Sequence, residues 1–283
     1  MSVRILVDST ADLTPEIQSQ MTVIPLTIHF GDEEYRDGID MTGHEFYEKL
    51  VESDVLPTTS QATPYQFTEA FREAVDAGDQ VVAILISSKL SGTYQSACIA
   101  AEDFEGQVFV IDSHSVAIGS GILAEYALRL AKQGLTASEI TDVILEKRDD
   151  VKLVALLDTL EYLKRGGRIS KTAAVAGSLL SIKPVVHVKD GEVLVLGKAR
   201  GSRQGNNMLI QQIEKAGGVD FSKPVLLGYT GLNDAMLQKY IEDSTELWKD
   251  RVEKLNTALV GSVVGTHAGP GAVAVAFFAE NKD

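Results

Sequence analysis

Cysteine is almost absent from this 283-residue chain, where Cys98 stands alone. A single thiol excludes an internal disulfide. With no second cysteine at metal-ligand spacing, it points to a reducing compartment, and Cys98 reads as a small buried hydrophobe. Basic residues are in short supply too: 26 Lys and Arg stand against 40 Asp and Glu, a formal charge of −14. That balance argues against a general nucleic-acid binder or an anionic-membrane protein. Long hydrophobic runs are also missing. The longest strongly apolar stretch, residues 272–279, is far below the roughly 20 residues that span a bilayer. The opening MSVRILVD meets Asp8 before a signal-peptide core can form. The expectation is a cytoplasmic protein with no integral membrane segment and no nucleic-acid partner.

Several catalytic signatures are absent as well. The sequence contains no G-x-S-x-G elbow, no G-x-x-x-x-G-K-[ST] loop, no complete G-x-G-x-x-G after the first strand and no H-E-x-x-H. Five scattered histidines give no zinc spacing. Neither a metal nor a cofactor is expected.

What is present is apolar material for real cores, with 45% hydrophobic residues and a mean hydropathy of +0.04. At roughly 100–200 residues per domain the length suggests about two domains. Up to residue 150, β-branched runs at 3–7, 23–29, 81–86 and 108–111 alternate with amphipathic stretches. This predicts a mostly parallel α/β sheet flanked by helices. Thr14-Pro15-Glu16, Thr63 with Gln66, and Thr136 with Glu139 mark helix starts. Near residue 150 the texture changes. A strand at 152–157, a Gly- and Lys-rich segment, a hairpin over 184–196 turning at Asp190-Gly191, and a helix over 201–216 come first. A strand at 225–229, a helix over 233–248 and strands at 257–260 and 273–278 complete a second α/β domain. The predicted division is 1–150 and 151–283.

Charge is distributed unevenly. Between Asp158 and Arg203 nine basic residues face four acids, a local excess of five. Within that segment Lys164-Arg165-Gly166-Gly167-Arg168 combines cations with glycines that let a backbone approach closely, so it is either a solvated basic face or an anion site. Four loops place small hydroxyl residues after predicted strands, where open α/β sheets put their ligands. They contain Asp8-Ser9-Thr10, Thr58-Thr59-Ser60-Gln61, the run from Ser87 to Thr93, and Asp112-Ser113-His114-Ser115. Most such hydroxyls serve as helix caps. Ser91-Gly92-Thr93 differs, because hydroxyls flanking a glycine at a helix N-terminus suit a carboxylate or phosphate. His267, flanked by Gly265 and Gly269, is expected on a sharply turned loop from which it can donate to an acid or act as a base. Two further readings stay open. A Ser91–His267–carboxylate triad would make a serine acyl hydrolase, although no orienting acid is identifiable. The basic segment could instead serve an anion-regulated interaction module.

In their order and spacing, ILVDSTADLTPE, PTTSQATP, ISSKLSGTYQSA, VIDSHSVAIGSGILA, LEYLKRGGRIS and GTHAGPGAVAVAF resemble the DegV family over essentially the whole chain. One departure is Ala62, where that family commonly carries proline. The resemblance implies a fatty-acid-binding protein whose ligand lies in a tunnel between the two domains. Thr59 and Ser91 would be the principal carboxylate donors, with Ser60, Gly92 and Thr93 nearby and His267 closing the site. Arg168 would support the head-group end and phosphoryl transfer. By the same resemblance the chain is not itself an enzyme. It would present a long-chain fatty acid such as palmitate, stearate or oleate to a separate dihydroxyacetone-kinase-like fatty acid kinase subunit, then carry the acyl-phosphate towards phospholipid synthesis. Tail-lining candidates are the apolar residues of 118–130, 173–182 and the last strand.

Overall fold

The computed structural model describes residues 2–169 and 182–280. Strands β1 (Val3–Asp8) and β2 (Thr22–Ile24) open the chain, followed by β3 (Thr27–Phe30), β4 (Glu33–Arg36) and β5 (Thr58–Ser60). Then come β6 (Gln80–Leu85), β7 (Val108–Asp112), β8 (Val151–Leu156), β9 (Ile182–Lys189), β10 (Glu192–Arg200), β11 (Leu226–Tyr229), β12 (Thr257–Leu259) and β13 (Val273–Phe278). They form three sheets in the orders β2-β1-β6-β7, β4-β3-β5 and β10-β9-β8-β13-β11-β12.

Every pairing in the first sheet is parallel. Its central strands are apolar on both faces, as burial beneath two helical layers requires. Leu6, Val81, Ala83 and Leu85 pack with Phe67 and Phe71 of helix Pro64–Asp76 and with Ala97 of helix Thr93–Ala101. Ile5, Val7, Val82 and Ile84 pack on the other face with helices Ala117–Lys132 and Ala137–Lys147. The expected capping boxes form at Thr63 and Thr136, and a third forms at Thr42. Thr14 does not cap with its side chain.

Three expectations need correction. The run over 23–29 is two strands in two sheets, because Pro25 breaks the ladder and redirects the chain between β2 and β3. The helix expected over 233–248 is two pieces, Ala235–Asp243 and Thr245–Trp248, divided at Ser244, whose hydroxyl donates to the carbonyl of Tyr240 (2.6 Å). The segment bearing His267 is the helix Ser262–Ala268, and the turn follows it at Gly269, where φ is +71°.

Strands β8 to β13 form a mainly antiparallel sheet, with one parallel pair between β11 and β12. Val154, Leu156, Val275 and Phe277 pack towards helix Gly201–Lys215 through Leu209 and Ile213. The opposite face, including Leu153, Ala274, Ala276 and Phe278, joins the core that holds helix Ala117–Lys132. That helix is therefore sandwiched between the parallel sheet and the six-stranded sheet. Its composition answers the squeeze: a Cβ at Gly121 would lie 2.1 Å from the Asp12 carbonyl oxygen, and one at Gly119 would lie 2.2 Å from Ser115 Oγ. Gly119-Ser120-Gly121 is a packing surface.

Helix Ser262–Ala268 is seated with equal closeness. Tyr47 Oη donates to the carbonyl of Val260 (2.9 Å), and a Cβ at Gly265 would meet Tyr47 Oη at 2.5 Å and Phe46 Cε1 at 2.8 Å. Both aromatic side chains are fully buried. Gly265→Ala is expected to cost about 1–3 kcal/mol through overpacking, read as a lower urea midpoint.

Candidate functional site

Beyond the N-terminal end of helix Ala117–Lys132 the two large sheets leave a cavity of about 380 Å³, within the ordinary range for small-molecule sites. Val116 and Ala117 line it there. Leu153, Ala155 and Ala274 come from the second domain's sheet, Val186, Val188 and Val193 from the β9–β10 hairpin, and Leu26, Ile86 and Leu90 from the first domain. Polar groups on the wall include Thr59, Gln61, Ser91, Arg168 and His267.

Thr59 and His267, 208 residues apart in sequence, meet through a 2.9 Å hydrogen bond between Thr59 Oγ1 and His267 Nε2. The sheet register accounts for the threonine's aim. Thr59 pairs with Ile28, a fully buried residue, so both side chains point inward. Strand alternation then turns Ser60 to the other face, where its hydroxyl meets His29 Nε2 at 2.7 Å while its residue still lines the cavity edge. Ser91 Oγ lies 2.9 Å from Thr93 Oγ1 and accepts from the Thr93 N–H (3.2 Å), fixing the entry to helix Thr93–Ala101. Gly92 is the N-cap of that helix. A Cβ at Gly92 would lie 2.0 Å from Gln61 Oε1, so glycine lets Gln61 cross the loop and donate to Ser96 Oγ at 2.9 Å. At Ala62 the main-chain N–H donates to Thr93 Oγ1 (3.3 Å), a bond that proline could not make.

His267 is half-buried, and that desolvation, reinforced by the positive charge of Arg168, pushes its pKa down from 6.5 to about 4. The ring is neutral near pH 7. Its Nδ1 has no hydrogen-bond partner among the described residues. It faces Gly166, where a Cβ would lie 2.1 Å from Nδ1. Arg168 is half-buried and donates to two carbonyls, from Nε to Leu90 (3.1 Å) and from Nη1 to Gly166 (2.6 Å). Both partners are uncharged backbone.

The structure does not assemble the Ser91–His267 triad. His267 is engaged with Thr59, Ser91 with Thr93, and no acid among the described residues meets Nδ1. A general base needs hydrogen-bond reach to its nucleophile and an orienting partner of its own. The remaining expected residues, Thr59, Ser91, Gly92, Arg168 and His267, converge on one cavity, with Thr93 buried just behind Ser91. Residues 173–181 and Lys171 lie outside the described residues. Thr10, from the first of the hydroxyl loops, also lines the cavity, as does Thr230, which no motif marked. Thr10 donates to Asp8 Oδ1 (2.5 Å), and Thr230 Oγ1 accepts from the Ala272 N–H (2.7 Å). Thr230 follows β11, so the rule that ligands gather beyond strand ends could have found it.

Such a fold and site define a two-domain α/β protein with a cavity whose walls are mainly apolar and carry hydroxyl, imidazole and guanidinium groups. A family model described as an uncharacterised protein of the DegV family matches residues 2–280. A DegV domain-containing protein of Caldanaerobacter subterraneus subsp. tengcongensis is 34% identical over 97% of this chain and 98% of its own length. Among solved structures, a fatty-acid-binding DegV family protein from Thermus thermophilus shares 31% identity and a TM-score of 0.89, covering 99% of this chain and 100% of that one. A stearic-acid-binding protein from Eubacterium ventriosum shares 26% identity and a TM-score of 0.85, covering 98% of each chain. The chain belongs to the DegV family.

Two outcomes follow from the geometry of His267. Between pH 6.5 and about 4 the unfolded chain takes up a proton that the folded ring refuses, so this group lowers stability as pH falls through that window. The effect reaches up to about 3 kcal/mol and disappears in His267→Gln, measured as urea midpoints against pH. Gly166→Ala should displace the ring, seen as loss of the low-pKa histidine signal by NMR.

Proposed function

We propose that this chain binds a long-chain fatty acid in the cavity between domains 1–150 and 151–283 and has no complete active site of its own. The observation that carries this reading is the pairing of Thr59 with a neutral, half-buried His267 on the wall of a mainly apolar cavity. When Nε2 carries the ring proton, His267 donates to Thr59 Oγ1 and leaves the threonine proton for a carboxylate. Ser91 supplies a second hydroxyl, with Gly92 and Thr93 shaping its loop and Ser60 at the edge. Neutral donors suit a site that must take both an acid and its phosphorylated product, and Arg168, whose partners among the described residues are two backbone carbonyls, adds a positive charge at that end.

Affinity comes from the tail. Burying a chain of about sixteen carbons at about 0.8 kcal/mol per CH₂ gives roughly 12 kcal/mol before ordering and association costs. The head group needs only to be satisfied, since a buried carboxylate without partners is very costly. The ligand is therefore a fatty acid of the palmitate, stearate or oleate class. The cytoplasmic role we assign is to present its carboxylate to a separate dihydroxyacetone-kinase-like fatty acid kinase subunit and carry the acyl-phosphate towards phospholipid synthesis. Neither metal nor cofactor is assigned. No helix among the described residues is long and apolar enough to cross a membrane.

Native mass spectrometry of the purified protein should reveal one fatty acid per chain; a clean apo mass with no palmitate uptake sinks the reading. Thr59→Ala or Ser91→Ala should weaken palmitate binding roughly 10- to 100-fold, the worth of a hydrogen bond to a charged group. Arg168→Ala should reduce acyl-phosphate formation with the kinase more than it reduces palmitate binding, and equal losses would assign Arg168 to binding alone.

A further inference from the structure

Hairpin turns normally lie on the surface, yet Gly191, at the tip of the β9–β10 hairpin, is buried. Asp190 and Gly191 make the turn with φ of +50° and +80°, as a two-residue hairpin loop requires. The seat is in the first domain. There the hydroxyl of Ser87, itself fully buried, donates to the Gly191 carbonyl at 2.8 Å. The loop after β6 holds Ser87 in place: its Oγ accepts from the Lys89 N–H (3.2 Å), and its own N–H donates to the Ser115 carbonyl (2.9 Å). A Cβ at Gly191 would lie 2.4 Å from Ser87 Oγ and 3.8 Å from the Cα of His114. Glycine answers both the positive φ and the close seat.

To reach that seat the tip leaves its own sheet. Pairing between β8 and β9 stops at Leu153 with Val188, although β8 begins at Val151. On the other strand the register shifts between Val195 and Gly197, a β-bulge that bends the ribbon. Between bulge and tip, Val188 pairs with Val193, and both line the cavity described above. Ile86, next to Ser87 in sequence, lines it from the first domain. One wall of the cavity therefore hangs from a two-stranded ribbon whose far end is fastened across the seam between the domains by the Ser87 bond. Two strands alone are marginally stable in water. The fastening decides where the tip rests.

We propose that the tip of the β9–β10 hairpin is a gate for the apolar tail of the ligand and that the Ser87 hydroxyl is its latch, an inference that rests on the fatty-acid reading above. Releasing the bond lets Val188 and Val193 swing away from Ile86 and opens the cavity along the seam. Ser87 is not among the lining residues, so its loss speeds entry and exit alike and leaves the equilibrium affinity nearly unchanged. Release of radiolabelled palmitate from the loaded chain into excess albumin, with an equilibrium titration alongside, tests this. Ser87→Ala should quicken release roughly 3- to 10-fold, the worth of one hydrogen bond. A Cβ at Gly191 would lie 3.5 Å from Ser87 Cβ, within disulfide reach. Ser87→Cys with Gly191→Cys, in a Cys98→Ser chain, should therefore abolish release when oxidised and restore it on reduction. If that variant does not fold, Ser87→Ala decides. The proposal is overturned by unchanged release from Ser87→Ala, by equal release from the oxidised and reduced double variant, or by a folded double variant that forms no disulfide. Affinity that falls in step with faster release assigns Ser87 to binding and overturns it equally. A wild-type chain that takes up no palmitate brings down the fatty-acid reading itself, a result distinct from unaltered rates at full binding.

Discussion

The architecture depends on one helix having to fit between two sheets. Helix Ala117–Lys132 is buried along most of its length, and both the parallel sheet and the antiparallel sheet use it as their packing partner. Close packing at native density leaves no room for ordinary side chains at its tightest contacts, which is why glycines 119 and 121 sit against Ser115 and the Asp12 carbonyl. The helix sets the separation of the sheets. Beyond its N-terminal end that separation remains as the cavity, lined there by Val116 and Ala117.

The short helix Ser262–Ala268 plays a complementary part. Asp12 and Asp37 of the first domain hold its N-terminal N–H groups, Phe46 and Tyr47 form its seat, and its last turn delivers His267 to Thr59. Both ends of a second-domain helix are thus bonded to the first domain. Electrostatics follow from that placement: burial and Arg168 keep the imidazole uncharged, so the polar end of the cavity offers hydrogen-bonding dipoles in place of a tight ion pair.

Much of this was legible in the sequence because it is written in local rules. The parallel sheet showed as doubly apolar runs, and the capping boxes at Thr63 and Thr136 follow from residue types three apart. The hairpin turn shows as Asp190-Gly191, both with positive φ. Reading failed where a local rule was ambiguous. Pro25 lies inside one apolar run, and periodicity cannot tell one strand from two in different sheets. The glycines around His267 looked like a loop, whereas Gly265 is helical for the sake of two aromatic rings that lie more than 200 positions away in the chain.

The sequence by itself determined the fold class, the family and most of the residues that surround the cavity's polar end, because hydrophobic period, turn chemistry and motif order are properties of neighbours along the chain. Pairing was decided only by the tertiary structure. That His267 bonds Thr59 and leaves Ser91 to Thr93, that Ser60 turns outward, and that two aspartates converge beneath Gly261 all depend on strand register and helix seating. Those are set by contacts between residues up to 249 positions apart, and a linear pattern carries no record of such distances.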